Sequence, residues 1–222
     1  MKRTTRSIAP ILAGTLVCVG TPQTASAEQP VRYQVTFERT WSDQTHPQDF
    51  PLLAHFSPVI GFTHDGSYDP LAAGATPSAG IERLCEEGKH QPLDAEIRAA
   101  VAAHDAGALI ETLEPLRSAP GKAMATFEIN AAHPMVSIAA MIAPSPDWCA
   151  VASDVSLRED GEWMKEKTLV LEAWDVGTDS ATSYRALDDD TQPRGKIELN
   201  ASPYFVQGGK RIPVGTVTFV RQ

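Results

Sequence analysis

After its first two dozen residues the chain has no apolar run near the 20 or so residues that a membrane-spanning helix needs, so no transmembrane segment is expected there. Positive charge is scarce: 19 Lys and Arg stand against 28 Asp and Glu, for a net charge of −9. Such a chain repels phosphate polymers, which sets nucleic acid aside as a partner. The recurring catalytic signatures are also missing. There is no Gly-x-Ser-x-Gly, no His-Glu-x-x-His and no phosphate-cradling glycine loop. His46, His55, His64 and His133 stand without the His-x-x-x-His spacing that zinc would use. These absences point away from the common hydrolases. Cysteine is limited to Cys18, Cys85 and Cys149.

The first residues do carry a pattern. Lys2, Arg3 and Arg6 precede an apolar stretch from Ile8 to Gly20, and Ala25-Ser26-Ala27 follow just before Glu28. A basic start, a short apolar segment and small residues in that order read as a bacterial-type secretory signal covering residues 1–27. Val17 before Cys18 argues against a lipid anchor. The expected mature chain, 28–222, is sized for one domain and placed in the periplasm or secreted. It keeps 16 of the cations and all 28 anions, a net −12. It also keeps two cysteines, Cys85 and Cys149, which in an oxidising compartment read as one disulfide or else as two buried thiols.

Period-two alternation marks strands at Val31–Glu38, with Tyr33, Val35 and Phe37 on one face, and again at 123–129, 167–174 and 213–221. Val136–Ala143 is apolar throughout. Leu52–Ile60 is a short apolar run within a stretch rich in Pro, Gly, His and Asp. Between Gly80 and Leu116 the spacing turns helical, through Ile81, Leu84, Leu93, Ile97, Val101, Ile110, Leu113 and Leu116, and predicts two or three short helices punctuated by Gly88 and Gly107. Strands at both ends with helices inserted in a loop region, about 81–116, predict a mainly β, antiparallel sandwich.

Two acidic motifs fall where a strand gives way to a loop: Pro144-Ser145-Pro146-Asp147-Trp148 and Trp174-Asp175-Val176-Gly177-Thr178-Asp179. Loops gather at the ends of a sandwich, so these carboxylates can converge, and converging carboxylates repel unless protonated or neutralised by a cation. Hard oxygen ligands favour calcium over zinc. The spacing by itself fits Asx turns better than a metal loop, with Gly177 supplying positive φ. Asp188-Asp189-Asp190 reads as a solvated turn. Trp41 and Trp148 read as core or loop anchors rather than, with Trp163 and Trp174, as a sugar-stacking platform.

Several uncommon motifs stand in one order: Tyr33-Gln34-Val35-Thr36-Phe37-Glu38-Arg39-Thr40-Trp41-Ser42, Thr45-His46-Pro47, Asp49-Phe50-Pro51, Ala54 through Gly61, and the two acidic motifs. Together they resemble the spondin domain family, the module of F-spondin and mindin, over nearly all of residues 28–222. The resemblance implies a C2-like antiparallel β-sandwich without a catalytic centre. It further implies adhesion or recognition at a cell surface, with a protein or glycan as partner, and one divalent ion, calcium rather than magnesium. The matching ligands are Asp147, Asp175 and Asp179, with Glu128 a fourth by position. Cys85 and Cys149 occupy places where the family commonly has other residues, which strengthens their reading as a pair. Two rivals stay open: a metal-dependent extracytoplasmic hydrolase whose ion activates water, and a metal-free structural module in which the acids only shape turns.

Overall fold

The computed structural model describes residues 28–222, so the expected secretory signal lies outside the described residues. In chain order the elements are β1 (Val31–Arg39), β2 (His55–Phe56), β3 (Ile60–His64), α1 (Ala79–Glu87), α2 (Leu93–Ala103), β4 (Ala106–Glu111), β5 (Gly121–Ile129), β6 (Met135–Ala143), β7 (Trp148–Ser156), β8 (Arg158–Glu159), β9 (Glu162–Trp163), β10 (Glu166–Asp175), β11 (Glu198–Leu199), β12 (Val206–Gln207), β13 (Lys210–Arg211) and β14 (Gly215–Arg221).

The principal strands hydrogen-bond antiparallel in the order β4-β3-β6-β7-β10-β14-β1-β5. β10 belongs to both layers of the sandwich: Glu166–Leu171 pair with β14, and Glu172–Asp175 pair with β7. The strand thus turns the corner from one layer to the other, and β4 and β5 come together at the opposite edge. The mainly β antiparallel sandwich expected from the alternation is the architecture found.

Alternation also fixes what each strand buries. Tyr33, Val35 and Phe37 of β1 point into the space between the layers, where they meet Phe127, Ile138, Trp148, Val217 and Phe219. A second apolar group, including Ile60, Phe62, Ile81, Leu84, Leu93 and Ile97, fills the space between the outer face of the β3-β6-β7 layer and the two helices. β6 therefore has apolar matter on both faces and is buried almost along its length, which is why 136–143 does not alternate. Each fully buried aliphatic side chain here contributes roughly 2 kcal/mol.

α1 starts where the Ser78 hydroxyl accepts from the Ile81 amide, and it ends at Gly88, whose φ of 67° is left-handed. Glu96 of α2 reaches back to α1, accepting from the Gly80 amide at 2.9 Å and from the Ser78 hydroxyl at 2.5 Å. Helix ends at Ala103, not near Leu116, and Gly107 lies within β4. The expected helical spacing through Ile110, Leu113 and Leu116 is fortuitous: Ile110 and Leu116 are buried from strand and loop, and Leu113 is 89 % exposed. The apolar run 52–60 is likewise divided, since Leu52 and Leu53 face solvent while Phe56, Val59 and Ile60 are buried.

Cys85 of α1 is bonded to Cys149 of β7, with Cα atoms 5.4 Å apart. This staples the helical layer to the sheet.

Candidate metal centre

The pairing of β7 with β10 brings the two acidic motifs together. Asp175 is the register partner of Trp148, so Asp147, one residue earlier, stands beside the chain leaving β10. The Asp147 side chain is wholly buried. Its Oδ2 accepts from the amides of Thr178, at 2.7 Å, and Asp179, at 3.2 Å. Its Oδ1 is buried with no hydrogen-bond partner among the described residues. Asp175 Oδ1 accepts from the Gly177 amide at 3.0 Å, and Asp179 Oδ1 from the amides of Ala181, at 2.7 Å, and Asp189, at 3.2 Å.

The loop is folded against a second segment that crosses it. Thr191 and Gly195 donate their amides to the carbonyls of Thr178 and Gly177, at 2.8 and 2.7 Å. Gly177 has φ +76°, and a Cβ there would lie 2.9 Å from Gly195 C and Lys196 N, so both backbone conformation and close approach require glycine. Asp188, Asp189 and Asp190 are exposed, as a solvated turn should be, yet Asp189 also ties into the site by accepting from the Ser180 hydroxyl.

Burial pushes the Asp147 carboxyl up to about 7, and the charge of Asp175 adds to this against the two amide hydrogen bonds. Asp175 is also raised, first by burial and then by Glu198 and Asp179, while the Gly177 amide opposes the shift. Asp175 and Asp179 border a cleft of about 330 Å³ that Asn200 and Ser202 help to line, while the buried Asp147 does not line it. The donor set is oxygen only, partly desolvated and mutually repelling, and it includes a buried acceptor oxygen without a donor. Oxygen donors of this kind suit a hard divalent cation, but the ligand atoms of Asp147, Asp175 and Asp179 do not all lie within 4.8 Å of one another, so an ion would have to draw them closer.

Glu128 is not brought to this group. Alternation does place it on the outer face of β5, but it pairs with Arg32 at 3.4 Å. The loop motifs lie beyond the Arg39 end of β1, whereas the register sets Glu128 opposite Arg32, seven residues along. At about 3.3 Å per residue that separation is more than 20 Å.

A second polar group has no signature in the spacing of the sequence. Ligand atoms of His64, Asp69 and Asp154 lie within 4.8 Å of one another, and theirs is the one group of three that does so among the described residues. Ser137 stands at its centre. Its hydroxyl donates to Asp69 Oδ2 at 2.6 Å and accepts from the Asp154 amide at 3.0 Å. The Gly66 amide donates to His64 Nδ1, which leaves Nε2–H to donate to Ser137 at 2.9 Å. The hydrogen-bonding capacity of the buried imidazole is thus used within the protein. Its members come from four separate segments, so no spacing could have shown it.

Comparison with known proteins follows the same motifs. The family model described as Spondin_N matches residues 31–207. Spondin-1 of Xenopus laevis is 32 % identical over 205 residues, covering 86 % of this chain and 25 % of that protein. Spondin-2 of Rattus norvegicus is 29 % identical, covering 95 % of this chain and 65 % of the relative. Spondin-2 of Homo sapiens is 27 % identical, covering 97 % and 70 %. The chain therefore spans a quarter of spondin-1 and about two thirds of spondin-2.

Proposed function

The chain belongs to the Spondin_N family, and from that premise we propose that it is an exported, non-catalytic recognition or adhesion module stabilised by one calcium ion. Asp147, Asp175 and Asp179 would hold the ion, which would remove the repulsion among their carboxylates and fix the loop end of the sandwich as a recognition surface. The observation that carries this reading is the buried Asp147, with one oxygen held by two backbone amides and the other without a donor among the described residues. A carboxylate so desolvated is costly unless protonated or paired with a cation. Calcium accepts the irregular oxygen shell of carboxylates, carbonyls and water that such a loop provides, whereas magnesium demands a stricter octahedron.

Thermal unfolding tests it. Residues 28–222 are melted after chelation and then with calcium or magnesium restored, alongside Asp175→Ala. A ligand held only by the folded state must raise the melting temperature, by an amount equivalent to about 2.7 kcal/mol at a hundredfold excess over Kd. The expected result is a calcium-selective rise that Asp175→Ala lacks. Identical melts in every condition would reduce the acidic motifs to turn-forming residues.

A further inference from the structure

The end of α1 carries a feature that the metal reading does not use. Glu86 and Glu87 border two depressions at once. On one side is a cavity of about 530 Å³ whose apolar wall includes Leu53, Pro58, Pro115 and Met141. On the other is a cleft of about 310 Å³ bordered by Asp179 and Asp188. Leu53, on the wall of the apolar cavity, is 78 % exposed, and Leu52 beside it in the chain is 93 % exposed. Aliphatic side chains gathered at one rim of an otherwise highly charged domain mark a contact surface.

The support beneath this rim is rigid. Cys85, next to Glu86, is bonded to Cys149 of β7. The guanidinium of the buried Arg39 donates to the carbonyls of Ala54, Leu116 and Arg117, at 2.9, 3.2 and 3.0 Å, and so clamps together the two loops that bring Leu53 and Pro115 to the cavity. A rim already held in place loses little entropy on binding.

Charge decides what would sit there. Glu87 is engaged by Arg83, at 3.0 Å, and by Lys89. Glu86 instead faces like charge: its carboxyl is held above the ordinary glutamate range, first by burial and then by Glu82, Asp188 and Asp179, against a hydrogen bond from Thr178. A cation placed beside it would relieve that repulsion. A positive residue, Arg117, also lines the apolar cavity. The acidic cleft has none, so attraction for a cation is confined to the Glu86 side.

We propose that this ridge docks an extended segment of a partner protein in which an aliphatic side chain, seated in the apolar cavity, adjoins a lysine or arginine placed over Glu86 and Asp188. Pocket and charge together set the direction in which the segment lies. The docking does not require the ion, since neither Glu86 nor Leu53 is among the proposed ligands, although Asp179, which is one, borders the same acidic cleft.

The probe is a fluorescein-labelled peptide of alternating leucine and lysine, titrated by anisotropy against residues 28–222 in chelator and again in calcium. The comparison peptides alternate leucine with glutamate and serine with lysine. The expected result is saturable binding of the leucine–lysine peptide alone, in chelator as well as in calcium, weakened at least tenfold by Leu53→Ser and by Glu86→Gln. Both variants should melt as the parent does. Equal binding of either comparison peptide, no binding at millimolar peptide, or indifference to both substitutions would overturn the proposal. So would sedimentation showing that a second copy covers the leucines, or capture by phosphatidylserine vesicles that Leu53→Ser abolishes. If docking fails while the calcium-dependent melt persists, only this inference falls.

Discussion

His64 shows how a single buried group sets a pH dependence. Burial lowers its pKa below the ordinary 6.5 and outweighs the upward pull of Asp69, Asp154 and Asp65. The folded protein therefore binds fewer protons at this site than the unfolded chain as pH falls through that value. Stability from this group is full above about 6.5 and is lost on acidification toward the lower folded pKa. Urea unfolding at about pH 7.5 and 5.5 should show the parent losing more stability than His64→Gln, which keeps an N–H donor for Ser137 but does not titrate. Asp69, raised by burial, contributes with the opposite sign and is present in both proteins; because the two groups act on each other, the difference in slope reports His64 together with its effect on Asp69. Equal slopes would mean that the imidazole is solvated or charged at neutral pH. At this scale the sequence showed some residues and hid others. Asp147, Asp175 and Asp179 stood out because strand ends and a family resemblance marked them, and the Asx-turn geometry that competed with a metal reading is also present, since Asp175 caps Gly177 and Asp179 caps Ala181. Glu128 was drawn in by its position relative to the family motifs, and alternation did not exclude it because alternation reports the face of a strand and not the height along it.

Among the elements, the staple between α1 and β7 carries the clearest energetic consequence. The Cys85–Cys149 bond closes a loop with a sequence separation of 64. Restricting an unfolded chain by a loop of that length is worth about 4 kcal/mol on the chain-entropy model, less any rearrangement. The paired Cys85→Ala, Cys149→Ala variant should lose between about 2 and 5 kcal/mol in oxidising urea titrations. Adding reductant should bring the parent down to the variant and leave the variant unchanged. A parent indifferent to reductant would show that the sulfurs are not joined in solution. Element type was readable wherever burial is one-sided: β1, β5 and β10 alternate as half-buried strands do, and α1 and α2 bury a helical stripe. It misled at 106–116, where β4 and the loop after it place Ile110 and Leu116 inward at intervals that imitate a helix, because apolar spacing alone does not distinguish a turn of helix from a strand followed by a bend.

Across the whole molecule, the sheet order makes the ends of the described chain interdependent. β1 lies between β14 and β5, and β14 lies between β1 and β10, so the last strand is internal to the sheet. The family match ends at residue 207, before β14 begins at Gly215. Removing residues 208–222 would strip partners from the full inner edge of β1 and from Glu166–Leu171 of β10, and would take Val217 and Phe219 out of the core. Losing those two side chains alone costs several kcal/mol at roughly 2 to 5 each, which approaches the whole stability of an ordinary domain. Residues 28–207 should therefore fail to fold, giving poor dispersion in amide NMR spectra and no cooperative melt, whereas residues 28–222 should give both. Calcium would not rescue the shorter chain, because its proposed ligands can converge only after β7 and β10 have paired, and β10 without β14 is left holding half of its ladder. A cooperative melt from residues 28–207 would show instead that the layer containing β3, β6 and β7 is stable by itself, and that β14 completes the sandwich without being needed to form it.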